Sequence, residues 1–170
     1  MTVPQFAGEM LRWFAAWWWL AAALGKLRTW PGFRSELGTS FGLSPGAAAI
    51  AAPALVVAEL AAASLLLAAP GRAGMALSLL LMLTFTTVLG YQFFTRGVVR
   101  CSCFGESARP LSGYDLLRNL LVLGAMGSTL GLAPAQPPLA GETLVAAGIG
   151  AWLCVAAVNF HDLVVLTRTR

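Results

Sequence analysis

Charged residues are scarce in this chain, and that scarcity defines its class. Only 11% of the 170 residues are Asp, Glu, Lys or Arg, whereas 58% are hydrophobic and the mean hydropathy is +0.77. A soluble domain is about a quarter charged and about half apolar. The composition therefore predicts an integral membrane protein whose main surroundings are the lipid bilayer.

The motifs of several enzyme classes are also missing. The sequence has no glycine-rich phosphate loop, no dinucleotide fingerprint and no Ser/His/Asp set, which leaves hydrolase, kinase and nicotinamide-dependent functions without support. Its formal net charge of +4 comes from loops and ends, not from a basic face interleaved with aromatic residues. No nucleic-acid partner is expected, and anionic lipid accounts for the charge. With three cysteines, one histidine and no C-x-x-C spacing, the sequence predicts no metal site.

Five apolar segments are long enough, or nearly so, to cross the hydrocarbon core, which takes about 20 helical residues. They cover approximately residues 10–25, 46–69, 74–95, 114–133 and 142–166. Helices are expected because backbone polar groups in lipid must be satisfied within the segment. The sequence thus predicts an all-α fold, a polytopic transmembrane helical bundle of four to five spans that forms a single domain over residues 1–170.

Cys101 and Cys103 lie in the loop between the third and fourth segments. A thiolate is the nucleophile in disulfide exchange, and the guanidinium groups of Arg96 and Arg100 favour this charged form. A disulfide closed across a single residue departs from relaxed geometry, and strained disulfides are more easily reduced. The pair therefore indicates redox chemistry carried by a disulfide and not by a bound cofactor. Two structural cysteines, or half of a metal site, are the alternatives.

Three further polar residues are candidates to support this chemistry. If all five segments cross, Arg118, His161 and Asp162 lie on the same side of the membrane as Cys101. A histidine can shuttle the proton of thiol exchange, and an adjacent carboxylate can hold its tautomer. The alternative for His161 and Asp162 is a polar pair at a helix end that meets lipid headgroups. Cys154 falls near the middle of the fifth segment and is expected to be a core residue.

Glu59 lies near the middle of the second segment, where a carboxylate is costly and is normally paired, protonated or exposed to a cavity. Such a residue either marks a functional site or joins helices through hydrogen bonds, and both interpretations stay open. Its possible partners are Arg118, Asn119 and Gln92. A transporter or proton path built around Glu59 would need more intramembrane polar residues than the chain contains.

Together these motifs resemble the MauE family of membrane proteins, within the broader group of DoxX-like proteins. The resemblance covers about residues 10–130, and the C-x-C-F-G-E order is its most specific part. The segment over about 142–166 is an additional C-terminal span. The motifs that carry the resemblance are Gly25-Lys26-Leu27 with Pro31 and Phe33, Glu59-Leu60, Cys101-Ser102-Cys103-Phe104-Gly105-Glu106, and Leu117-Arg118-Asn119-Leu120.

The resemblance implies a multi-pass protein of the inner (cytoplasmic) membrane that works with a thioredoxin-like partner. Its implied clients are exported disulfide-containing proteins, with the methylamine dehydrogenase small subunit as the client of the founding members. Cys101 and Cys103 would be the redox pair, while Lys26 and Glu59 would be motif residues without an assigned role. A membrane scaffold for an exported enzyme, with structural cysteines, is the alternative function.

Two arguments about the side of the membrane disagree. The positive-inside rule places the cysteine loop in the cytoplasm, because the opposite side carries only Arg12 and Arg72. A partner in exported disulfide chemistry would have to reach Cys101 from outside. The side therefore stays open, and the sequence does not decide whether a quinone is involved. The basic residues on the side of the cysteine loop are Lys26, Arg28, Arg34, Arg96, Arg100, Arg109, Arg168 and Arg170.

Overall fold

A computed structural model of the chain describes residues 2–68, 72–96, 104, 112–129 and 140–168. Within these residues the regular secondary structure is helical, without strands. The predicted all-α helical bundle is therefore confirmed. In chain order the helices are α1 (Val3–Arg28), α2 (Trp30–Thr39), α3 (Pro45–Ala68), α4 (Arg72–Arg96), α5 (Gly113–Ser128), α6 (Ala140–Val158) and α7 (Phe160–Arg168).

Three helices of the described chain have the length and hydropathy of a membrane-crossing segment, namely α3, α4 over Arg72–Thr95, and α6. Helix α1 has 26 residues, but charged residues and tryptophans lower its hydropathy. Helix α5 is described over 16 residues, which is shorter than a bilayer requires. Large apolar side chains such as Ile50, Leu80 and Trp152 are exposed on the long helices. This exterior fits a bundle surrounded by lipid.

Two regions differ from the pattern of five continuous spans. The span predicted over 142–166 is divided into α6 and α7 at Asn159, whose Nδ2 donates a hydrogen bond to the Val155 carbonyl at 2.8 Å. Such a side-chain bond competes with the helical ladder. The loop predicted over 26–45 contains α2, which has Pro31 in its first turn. Proline is favoured there because its missing N–H has no helical partner to lose.

Helix α1 packs against both α3 and α6. Its contact with α6 is close at Gly150, where a Cβ atom would lie 2.7 Å from the backbone nitrogen of Phe14. Near its start, Arg12 donates hydrogen bonds to the carboxylate of Glu9 and to the carbonyl of Leu66 in α3. Helix α1 is thus fastened to two neighbours, and its buried face carries Lys26 and Trp18, which contact polar residues of other helices.

Candidate functional site

A buried ion pair joins α1 to α3. The Nζ atom of Lys26 donates a hydrogen bond to Oε1 of Glu59 over 2.7 Å, and the side chains are 4% and 0% exposed. The ammonium group also lies 5.6 Å and 5.5 Å from the ring centroids of Phe33 and Phe85. A buried charge needs an opposite charge because it has lost its water, and the two aromatic rings add cation–π attraction. Lys26 is therefore the residue that allows a carboxylate inside α3.

This pairing differs from the partners considered from the sequence, which were Arg118, Asn119 and Gln92. Lys26 follows the apolar segment predicted over 10–25, but α1 continues through it to Arg28. The helical period contained the signal, since Lys26 follows the buried residues Trp19 and Ala22 at intervals of three to four residues. Its side chain therefore belongs to the buried face of α1 and not to a loop.

A cavity of about 440 Å³ borders the ion pair, between α1, α2, α3 and α4. Among the described residues, Oε2 of Glu59 and Oε1 of Gln92 are buried atoms without a hydrogen-bond partner, and both side chains line this cavity. A mostly apolar cavity of this size with a few polar groups is typical of a small-molecule site. Its aromatic lining consists of Phe33, Phe41, Phe85 and Tyr91.

A second polar cluster surrounds Arg118 at the start of α5. Its Nε and Nη2 atoms donate hydrogen bonds to Oδ1 of Asn119 at 3.3 Å and 3.1 Å, and Nη1 lies 3.9 Å from Oδ1 of Asp115. The guanidinium carbon lies 5.5 Å from the ring centroid of Trp18 and 5.4 Å from that of Phe104. The buried guanidinium group thus contacts the ring of Trp18 in α1 and the ring of Phe104 beside the cysteines.

Phe104 directly follows Cys103 in the sequence. Its ring meets that of Trp18 edge-on, with centroids 4.7 Å apart and planes at 88°. Arg100, Cys101 and Cys103 lie outside the described residues. The described chain next to the cysteine motif is therefore held against α1 by an aromatic pair and a buried guanidinium group.

His161, on α7, lies beside the beginning of α5. Its Nδ1 atom is 3.3 Å from Oγ of Ser112, and its ring meets that of Tyr114 edge-on at 5.9 Å. Asp162, by contrast, is exposed. The two neighbours in sequence therefore have different surroundings, and only His161 is connected to α5 by a hydrogen-bond contact shown in the described chain.

Ser112 and Asp115 connect His161 to Arg118, and sequence reasoning missed both. The backbone N–H and the hydroxyl of Ser112 donate hydrogen bonds to Oδ2 of Asp115 at 2.9 Å and 2.8 Å. A serine followed three positions later by an acidic residue is a capping pattern at a helix start, so the signal was present in the sequence. The result is a polar network that runs from α7 through the start of α5 to the guanidinium of Arg118.

Cys154 lies in the hydrophobic core, where its side chain is 5% exposed. The core position predicted for this residue is confirmed. The described residues contain no group of three or more His, Cys, Asp or Glu side chains that could hold a metal ion.

The fold and these buried polar residues define a helical membrane protein with an ion pair inside its bundle. The family described as methylamine utilisation protein MauE matches residues 4–134, which is most of the chain. The chain therefore belongs to the MauE family, and the resemblance seen in its motifs is confirmed. Membership makes it a membrane protein connected with methylamine utilisation. No curated protein and no solved structure matches the chain at a significant level.

Proposed function

We propose that this protein is a thiol–disulfide relay of the inner membrane. In this proposal Cys101 and Cys103 exchange disulfides with a thioredoxin-like partner during the maturation of exported disulfide-containing proteins. The observation that carries the proposal is the position of Phe104, which adjoins the cysteine pair and packs beside the buried guanidinium of Arg118. A cation near a cysteine favours the thiolate that exchange requires.

The polar network at α5 supports the same function. Ser112 follows the cysteine loop in the sequence and lies 3.3 Å from Nδ1 of His161. An imidazole in this position can accept or return the proton of a reacting thiol. Phe104, inside the loop, is thus next to a cation, and Ser112, which follows the loop, is next to a proton carrier. A cation and a proton carrier are the two aids that thiol exchange uses.

The proposed reaction transfers two electrons and two protons. A thiolate of the partner attacks one sulfur of the Cys101–Cys103 disulfide, the S–S bond breaks, and the other sulfur leaves as a thiolate. The second thiolate of the partner then attacks the resulting mixed disulfide. The partner ends as a disulfide, and Cys101 and Cys103 end as thiols after taking up the two protons that the partner released. The methylamine connection of the family suggests the methylamine dehydrogenase small subunit as the client.

Trapping of the mixed disulfide tests this proposal. Tagged chains with Cys101→Ser or Cys103→Ser are expressed in the native host, free thiols are blocked with N-ethylmaleimide, and membranes are analysed by non-reducing electrophoresis and mass spectrometry. We expect one variant to hold a thioredoxin-like protein in an adduct that dithiothreitol releases. The double-serine variant should form no adduct, and a Cys154→Ala control should behave like the natural chain. If both single variants support client disulfide formation at the natural rate, the cysteines are not a relay and the scaffold function replaces it.

The side of the membrane is tested separately. Intact cells carrying the Cys154→Ala variant are treated with a membrane-impermeant maleimide, with and without prior reduction. Labelling that appears only after reduction would support an oxidised pair that faces outward, where exported clients are found. Labelling that needs cell lysis but no reductant would place free thiols in the cytoplasm and contradict a function in exported disulfide chemistry.

A further inference from the structure

The cavity beside Lys26 and Glu59 takes no part in the proposed exchange of disulfides. It lies between α1, α2, α3 and α4, and two of these helices, α3 and α4, are candidate membrane spans. Its volume of about 440 Å³ is within the range of small-molecule sites. A molecule that enters from the bilayer would meet a mainly apolar wall, so its body must also be apolar.

The polar groups of the cavity specify the chemistry of the ligand. Lys26 occupies Oε1 of Glu59, whereas Oε2 of Glu59 and Oε1 of Gln92 are buried without a partner among the described residues. A buried acceptor without a donor costs free energy, and a ligand that donates a hydrogen bond would recover it. Unlike an amide, which can turn its N–H toward a ligand, a carboxylate is only an acceptor when ionised. The ligand should therefore carry a hydrogen-bond donor, such as a hydroxyl group.

Aromatic residues specify the shape of the ligand head. The cavity is lined by Phe33, Phe41, Phe85 and Tyr91. Phe33 and Phe85 also face the ammonium group of Lys26. Aromatic side chains favour a flat ring through stacked or edge-to-face contacts. A plain aliphatic alcohol would donate the same hydrogen bond without making these contacts.

We propose that this cavity binds a membrane-soluble molecule with an apolar tail and a hydroxylated aromatic ring, the chemistry of the hydroquinone form of a lipid quinone. One ring hydroxyl donates to Oε2 of Glu59, and Gln92 provides a further acceptor. The oxidised quinone has only carbonyl acceptors around its ring and leaves Oε2 without a donor. The site therefore prefers the reduced form of the molecule.

Calorimetric titration tests this preference. The protein carries Cys101→Ser and Cys103→Ser in detergent micelles, so that binding is measured without thiol chemistry. The probes are decylubiquinol, decylubiquinone and n-dodecanol, and titrations into empty micelles correct for partition. We expect decylubiquinol to bind about tenfold more tightly than decylubiquinone, the ratio that one hydrogen bond to a charged acceptor supports. It should also bind about tenfold more tightly than n-dodecanol, which donates the hydrogen bond but lacks the ring that contacts the aromatic side chains. Equal affinity for the two quinone forms, equal affinity for n-dodecanol, or no binding would overturn the proposal.

Substitutions in the cavity make the test specific. Glu59→Gln keeps a carbonyl acceptor for Lys26 and offers an N–H to the ligand, so the preference should disappear or reverse toward decylubiquinone. Gln92→Leu removes one acceptor without changing the ion pair and should weaken the binding of decylubiquinol several-fold. This variant keeps the test valid if Glu59→Gln does not fold. If neither variant changes its affinity for decylubiquinol or the ratio of its affinities for decylubiquinol and decylubiquinone, the assigned donors and acceptors are contradicted.

A steric pair of variants locates the site. Ala51 lines the cavity, whereas Ala61 lies on the exposed side of the same helix α3. Ala51→Phe should abolish binding of decylubiquinol, and Ala61→Phe should leave it unchanged. Binding that survives Ala51→Phe would place the ligand elsewhere. Because these measurements use the chain without its cysteine pair, their failure leaves the relay untouched, and failure of the relay leaves the binding site in place.

Discussion

Lys26 and Glu59 are 33 residues apart in the sequence and 2.7 Å apart inside the bundle. The first lies near the end of α1 and the second near the middle of α3, so their contact fixes how far these helices overlap. Glu59 also lines the cavity, and its second carboxylate oxygen is buried without a hydrogen-bond partner among the described residues. A single ion pair thus holds two helices together, and one of its residues offers a polar group to a ligand.

Replacing one partner of this ion pair should destabilise the protein more than replacing both. Lys26→Met or Glu59→Leu alone leaves an uncompensated buried charge, and we expect each to lower the free energy of unfolding by about 3–5 kcal/mol. The double variant buries no charge and should recover most of that loss. A double-mutant cycle of unfolding in detergent micelles measures the interaction. Losses that simply add in the double variant would show that the two residues act independently.

Phe104 should matter for the relay because it holds the chain beside the cysteine motif. Phe104→Ala removes the contacts with Trp18 and Arg118, and we expect the rate of client disulfide formation to fall about fivefold, as the loss of one aromatic contact would produce. Phe94→Ala is the matched control, since this phenylalanine is 79% exposed on α4. Equal rates in the two variants would remove Phe104 from the proposed mechanism.

Two glycines of α6 offer a test of its packing on α1. A Cβ atom at Gly150 would meet backbone atoms of Phe14 and Met10 at 2.7 Å and 3.0 Å, whereas one at Gly148 would meet nothing within 4 Å. Gly150→Ala should therefore destabilise the protein by about 1–3 kcal/mol. Gly148→Ala should be neutral or stabilise the helix by up to about 1 kcal/mol. Thermal unfolding in micelles distinguishes them, and similar melting temperatures would disprove the close α1–α6 contact.

Cys154 should behave as a core residue without redox function. Because the side chain is 5% exposed among large apolar neighbours, we expect even a membrane-permeant maleimide to modify it only after unfolding. Cys154→Ala should support client disulfide formation at the natural rate and lose about 1 kcal/mol of stability from the small cavity it leaves. Labelling of Cys154 in the folded Cys101→Ser, Cys103→Ser chain would contradict this assignment.

Hydropathy was sufficient to predict the helical bundle, because apolar runs such as those of α3, α4 and α6 allow no other form in lipid. It was less informative at the ends of helices. A local hydrogen bond sets the break at Asn159, and it does not change hydropathy enough to be seen in an apolar run. Proline chemistry sets the start of α2 near Pro31, in a region between two apolar runs where hydropathy indicates no helix.

In the polar site, too, features set by the local sequence could be predicted, whereas contacts between distant helices could not. Glu59 was recognisable because a carboxylate in an apolar span is costly wherever it points. Its partner was not, since choosing Lys26 over Arg118 requires the relative positions of α1, α3 and α5. The sequence of each helix does not determine how the three helices pack against one another. Ser112 and Asp115 were within reach of a local capping pattern, whereas their contact with His161 depends on where α7 packs.

The contact between α1 and α6 has a consequence for how the protein is made. Helix α1 is synthesised before α6, the helix that packs against Phe14 through Gly150, and α2 to α5 are produced between them. Until α6 is made, one flank of α1 has no protein neighbour, and long-range contacts of this kind form slowly. Assembly of this bundle is therefore completed after translation of α6, and a chain that stops before that helix should be a substrate for membrane quality control.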